Sequence, residues 1–324
     1  MRKGWIIVLL LLIVALTGCK QDTVTLPELH KDNILVTHVK KPLLTVIDRA
    51  QQEVVHEEQL NFIAQSLARV NNEQLVLASQ GEPSIRMLNL ADGTIRTLDL
   101  SAPEVTCLYV DDARQLLFIA EAEHEEVIVF DLESETVLHE IEVGRYPNAM
   151  DVNGQFLNVL HGDEATVSVV DLFTYEVVHT FPVVGHPTSI IATDDTVWVG
   201  GHGATGELNK HVHVYEAQSG ELLAKIQAGT MPIALYHDAH SEDMFVLSHG
   251  SNELHVIDLA TMAVKERIPT GDNPFYLTGD KQFIYVTALD GNELLVIDRQ
   301  RYEVVERYEL PAGPYGIILG GDRR

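Results

Sequence analysis

The histidines of this chain come closest to a chemical pattern. His38, His161 and His249 fall 10, 10 and 9 residues before Asp48, Asp171 and Asp258. Glu121 holds the same place, 10 residues before Asp131, and His202 lies 14 before Glu216, where a loop is longer. Neutral imidazoles with a carboxylate suit zinc or copper, provided that three or four converge. His38, Glu121, His161, His202 and His249 are therefore the expected metal set. A second group flanks prolines: Arg145 and Tyr146 before Pro147, His186 before Pro187, Met231 before Pro232, Asn273 before Pro274, and Tyr315 after Pro314. That mixture of cation, aromatic ring and amide suits a protein or small-molecule ligand. His211 and His213 alternate along one strand face, a weaker metal pair. His255 repeats the position of His213, which points to a hydrogen-bonding role between repeats. No Ser/His/Asp motif, phosphate-binding loop or zinc-protease helix is present in the sequence. The leading reading is a non-catalytic binding or scaffold module; the alternative is a metal-binding accessory protein or metal-dependent enzyme.

Whether these residues meet depends on the elements that carry them. The stretch NELLVIDR, ending at Arg299, has a near twin in NELHVIDL, ending at Leu259. Weaker copies end at Asp48, Asn89, Asp131, Asp171 and Glu216, so the anchors are separated by 41, 42, 40, 45, 42 and 40 residues. A period near 42 with four short strand signals per copy predicts a four-stranded antiparallel meander, repeated. The two residues before the anchor are both apolar in nearly every copy, as in Val46-Ile47 and Val296-Ile297. Consecutive apolar residues face opposite sides of a strand, so each sheet must be covered on both faces. Seven such sheets packed around an axis make an all-β, seven-bladed β-propeller. The first copy has three strand signals and the last segment, PYGIIL, has one, so the C-terminal strand is expected to complete the N-terminal blade and close the ring. The anchor carboxylate is expected to hold the turn that follows it.

The ends carry different information. Residues 1–19 combine Arg2 and Lys3 with the apolar run Trp5–Leu16 and end in Leu-Thr-Gly-Cys. The run is too short to span a bilayer as an ordinary helix and reads as a signal peptide. It resembles the bacterial lipoprotein signal. That resemblance implies lipidation of Cys19 by diacylglyceryl and attachment to the extracytoplasmic face of the cell membrane. Residues 20–33 read as a polar tether, and 34–324 as one propeller domain. With Cys19 lipidated, Cys107 has no disulfide partner and is expected to be a buried, inert thiol. A net charge of −26 excludes nucleic acid as a partner, and makes the lipid anchor the sole expected membrane contact. A monomer is expected.

The text IYVTALDGNELLVIDR and the Gly-x-x-Pro turns at 144–147, 229–232 and 271–274 resemble the YVTN β-propeller repeat family, including its periplasmic YncE-like members. The resemblance spans 34–319 and implies the seven-bladed fold and a surface or periplasmic binding role.

Overall fold

Each copy of the repeat makes one blade because its strands are short, β-branched and separated by turns. The computed structural model describes residues 22–79, 81–238 and 241–320, so Cys19 and the signal segment lie outside the described residues. Seven antiparallel sheets are present. Blade 1 comprises Asn33–His38, Leu43–Asp48 and Glu53–Gln59, with Pro314–Leu319 as its inner strand. Blade 2 comprises Ser66–Arg69, Gln74–Ala78, Ile85–Asn89 and Thr94–Thr97; blade 3 comprises Val105–Asp111, Leu116–Glu121, Glu126–Asp131 and Thr136–Glu142. Blade 4 runs Pro147–Asn153, Phe156–His161, Thr166–Asp171 and Glu176–Pro182. Blade 5 runs Pro187–Ala192, Thr196–Gly201, His211–Glu216 and Leu222–Gln227. Blade 6 runs Pro232–Tyr236, Asp243–Ser248, Glu253–Asp258 and Ala263–Pro269, and blade 7 runs Pro274–Gly279, Phe283–Ala288, Glu293–Asp298 and Glu303–Glu309.

The third strands are buried on both faces, as the apolar doublets require: Val46, Ile47, Val296 and Ile297 are all 0% exposed. The core accordingly forms between blades as well as within them. One apolar cluster joins Phe245, Leu247 and Val256 of blade 6 to Leu277, Ile284 and Leu295 of blade 7. The anchor residues cap their turns. Asp48 Oδ1 accepts from the N–H groups of Ala50 and Gln51, Asp298 Oδ1 from those of Gln300 and Arg301, and Asn89 Oδ1 from Ala91 N–H.

Around the axis, side chains on the inner strands stitch each blade to the next. Ser66 Oγ donates to Thr106 C=O, Thr106 Oγ1 to Pro147 C=O, Asn148 Nδ2 to Pro187 C=O, and Thr188 Oγ1 to Ile233 C=O. Closure is as expected: Ile34, Leu35 and Val36 pair with Leu319, Ile318 and Ile317, and His38 pairs with Pro314. At the outer part of this seam Arg49 of blade 1 grips Glu306 of blade 7. Its Nη2 and Nε donate to the two carboxylate oxygens at 2.7 and 3.2 Å, and its Nη1 donates to Tyr285 Oη at 2.9 Å.

Two sequence expectations need correction here. Residues 22–33 are not a free tether. Asp22–Thr23 adds a fifth strand to blade 2, opposite Ile95 and Thr94, and Val24 is buried with Leu26 and Leu29 packed nearby. Three apolar residues in a mostly polar stretch suffice to dock it. Cys107 is half-buried rather than buried, but burial still pushes its thiol up to about 11, which keeps it protonated.

Candidate functional site

The second-to-third and fourth-to-first turns share one face of a propeller, and the strand order places both candidate groups there. The register separates the expected metal ligands into two classes. His38, Glu121 and His161 end the second strands of blades 1, 3 and 4 and are fully buried. Each serves its own turns. Glu121 accepts from the N–H groups of Glu104, Glu123 and His124. Burial favours its protonated form, but these donors outweigh it and hold the carboxyl below its usual range. His161 Nε2 accepts from Gly144 N–H at 3.1 Å, so the proton sits on Nδ1, facing Thr166 Oγ1 at 3.0 Å. His38 Nε2 lies 2.9 Å from Thr45 Oγ1. Burial pushes both histidines down to about 4, so they are neutral at pH 7.

His202 and His249 stand one position further along, just past the second strands of blades 5 and 6. The hydrogen bonds establish this equivalence: the N–H groups of His202 and His249 donate to the C=O groups of His186 and Met231, as Val39, Gly162 and Leu289 do to Gly313, Tyr146 and Asn273. His249 is thus not the counterpart of His38 and His161. Turns of different length concealed a one-residue offset. The five expected ligands do not converge; His202 and His249 alone of them approach, with ring centroids 5.1 Å apart. Burial, then His249 and His186, lowers the pKa of His202. Among the described residues, the one group of three potential ligands close enough for a common ion is Glu121, His124 and Glu126. Glu121 there is already committed to three backbone donors and to His124 Nδ1.

Four of the proline-flanking residues share one position in their turns. Tyr146, His186, Met231 and Asn273 occupy equivalent places in four consecutive blades, and all have positive φ, between 46° and 57°. Each is followed by proline, which favours an extended predecessor. Left-handed backbone costs such residues roughly 1–2 kcal/mol apiece. Blade 1 uses Gly313 at this place, with φ 77°. Nothing in the types Tyr, His and Met announces this conformation; the Gly-x-x-Pro spacing was its sequence signal. The backbone explains the strain: turning left here aims each C=O at the neighbouring turn.

Aromatic rings line the blade 6 to blade 1 sector. Phe275 meets His249 edge to face (6.1 Å) and Tyr315 at a tilt (5.4 Å), and burial pushes the Tyr315 phenol up to about 12. His249 Nδ1 donates to Asn273 Oδ1 at 3.1 Å, which leaves the lone pair on Nε2. That Nε2 is buried and has no hydrogen-bond partner among the described residues. Arg145 is apart from this sector, exposed and paired with Glu164. Neither His213 nor His255 bonds to the next blade among the described residues; the Nδ1 of each has no partner, contrary to the expected role between repeats.

No family model and no curated protein matches this chain. Solved structures do. Dihydro-heme d1 dehydrogenase NirN, in complex with DHE, is 13% identical with a TM-score of 0.64, covering 92% of this chain and 80% of its own. Apo AztD from Citrobacter koseri is 10% identical with a TM-score of 0.61, covering 88% and 96%. Hydrazine synthase of Kuenenia stuttgartiensis is 15% identical with a TM-score of 0.66, covering 77% and 87%. At these identities the likeness is one of fold: the chain is similar to these β-propellers.

Proposed function

We propose that this chain is a YncE-like lipoprotein, anchored through Cys19 to the extracytoplasmic face of the cell membrane, which binds a protein or small-molecule ligand at the channel mouth without transforming it. The observation that carries the reading is the set of equivalent turns at Tyr146, His186, Met231 and Asn273, on consecutive blades, with the Phe275–Tyr315 ring pair following the last of them. The propeller neighbours support a binding or scaffold role at the level of fold.

Photocrosslinking in intact cells tests the site. A crosslinkable residue at Met231 or Tyr315 should capture a discrete partner or ligand, whereas one at Phe173, 76% exposed on the outer rim, should not. Equal capture at all three positions overturns the reading. Membrane fractionation of Cys19→Ala tests the anchor; retention of the variant in the membrane overturns that part.

A second reading has one observation in its favour. The unpartnered Nε2 of His249, beside His202, fits a zinc or copper ligand better than a surface histidine. Stoichiometric metal binding that disappears in His202→Ala and His249→Ala would favour it; a metal-free protein after reconstitution removes it.

A further inference from the structure

The strands of blades 5, 6 and 7 repeat one arrangement with a telling change. In blade 7, Arg307 of the fourth strand lies directly opposite Leu295 and pairs with Glu293 at 3.0 Å. In blade 6 the corresponding residues are Arg267, His255 and Glu253, and in blade 5 they are Lys225, His213 and His211. The acid is therefore replaced by histidine in blade 5. In blade 6 it leans toward His255, at 3.7 Å, and Arg267 has no carboxylate within 4.0 Å among the described residues. Lys225 and Lys210 have none either, in a chain where 48 acidic residues outnumber 22 basic ones.

These unpaired cations line two adjoining clefts. A cleft of about 720 Å³ is bounded by Lys210, His211, His213, Lys225 and Glu207. A second, of about 210 Å³, is bounded by Lys210, Ser251, Thr230, Glu253, His255 and Arg267. Lys210 belongs to both. It ends the long 202–210 connection, which Asn209 pins by donating from Nδ2 to Gly201 C=O and His211 C=O. At 7% and 1% exposure, His213 and His255 are nine-tenths or more buried, and each has an Nδ1 with no hydrogen-bond partner. In blade 5 no acid stands beside the cation and imidazole, and in blade 6 the one acid leans to the imidazole rather than to Arg267.

We infer that the rim of blades 5 and 6 is a binding site for a small polyvalent oxyanion, bearing phosphate or carboxylate groups, which in blade 5 takes the place that Glu293 fills in blade 7. Lys225 and Arg267 supply charge, Lys210 bridges the clefts, and the buried imidazoles supply hydrogen bonds. This site is separate from the channel mouth and stands or falls independently of the function proposed there. The larger cleft has the size of ordinary small-molecule sites.

Calorimetric titration of the purified domain with pyrophosphate and, separately, with citrate tests the inference. Binding with a Kd below about 1 mM is expected for at least one. Pyrophosphate alone identifies a phosphate ligand, and citrate alone a carboxylate ligand. The double variant Lys225→Gln/Arg267→Gln should weaken binding at least about tenfold, whereas Arg307→Gln should leave it unchanged. In the unsubstituted protein, the His213 and His255 ring proton signals should move on titration, a readout that needs no variant. Absence of binding by both anions, binding indifferent to the double variant, or unmoved ring signals overturns it.

Discussion

His202 and His249 come from neighbouring blades, yet their rings stand edge to face with centroids 5.1 Å apart. The contact exists because each residue follows the last position of a second strand and is held there by a left-handed partner, His186 or Met231. Charging both rings together would place two cations in contact. His202 should therefore titrate below the ordinary histidine range, and His249→Ala should move it upward. Proton NMR of the ring signals measures both. A His202 titration at its ordinary value, unchanged in the variant, contradicts the arrangement.

Acid should destabilise the fold through groups far from that pair. His38, His161 and His213 are each pushed down to about 4 by burial. A histidine with a lowered folded pKa binds its proton more readily when unfolded, so stability falls as pH drops from about 6.5 to 4, by up to roughly 3 kcal/mol per group. Asp151 opposes this: burial raises it to about 6, so its contribution falls as pH rises from about 4 to 6. Three histidines outweigh one aspartate. The melting temperature should drop between pH 7 and 4.5, and His161→Gln should flatten the slope. A melting temperature independent of pH over that range would count against neutral, buried imidazoles.

The closing seam makes its own demand. Removing residues 313–324 deletes the buried Ile317 and Ile318, whose burial contributes roughly 2–3 kcal/mol each, and bares the edge of Asn33–His38. Cooperative unfolding at a much lower temperature is expected by circular dichroism. Arg49→Ala should cost about 2–3 kcal/mol, since it leaves Glu306 only 18% exposed and without its cation. A double-mutant cycle with Glu306→Gln should recover most of that loss; independent, additive effects would show the pair to be idle.

Glycines on the two faces should respond differently. A Cβ at Gly201 would meet His186 O at 2.5 Å and Pro187 Cα at 2.7 Å, both backbone. Gly201→Ala should lower stability by about 2–4 kcal/mol and shift the His186–His202 turn. Gly154 has φ 59° and nothing within 4 Å, so Gly154→Asn should change stability by less than about 1 kcal/mol. Urea unfolding distinguishes the two, and equal costs would refute the account.

The fold was legible because its signals are repeated. Seven anchors at a steady period and apolar doublets such as Val46-Ile47 specify sheets covered on both faces, and PYGIIL supplies the missing strand. The site was legible only in part. Tyr146, His186, Met231 and Asn273 occupy equivalent turns, because each immediately precedes the proline that opens a blade's first strand. The histidine set did not survive, because counting residues across turns of unequal length cannot detect a one-residue offset, and one step exchanges a fully buried place for a half-buried one. The grip of Arg49 on Glu306 was beyond reach of the sequence, since it joins outer positions 257 residues apart. The docking of Val24 was missed because one buried valine is no pattern.

The pairing of Pro314 with His38 also fixes a moment in the life of the chain. A ribosome delivers Asn33–His38 early, yet blade 1 lacks its innermost strand until Pro314–Leu319 has emerged. Joining partners so distant in sequence is slow, because the whole intervening chain must be ordered or looped before the contact stabilises anything. Blades 2 to 7 have all their strands earlier but no ring in which to rest. The ring therefore stays open while blades 2 to 7 are being made, and every one of them precedes the strand that lets the circle shut.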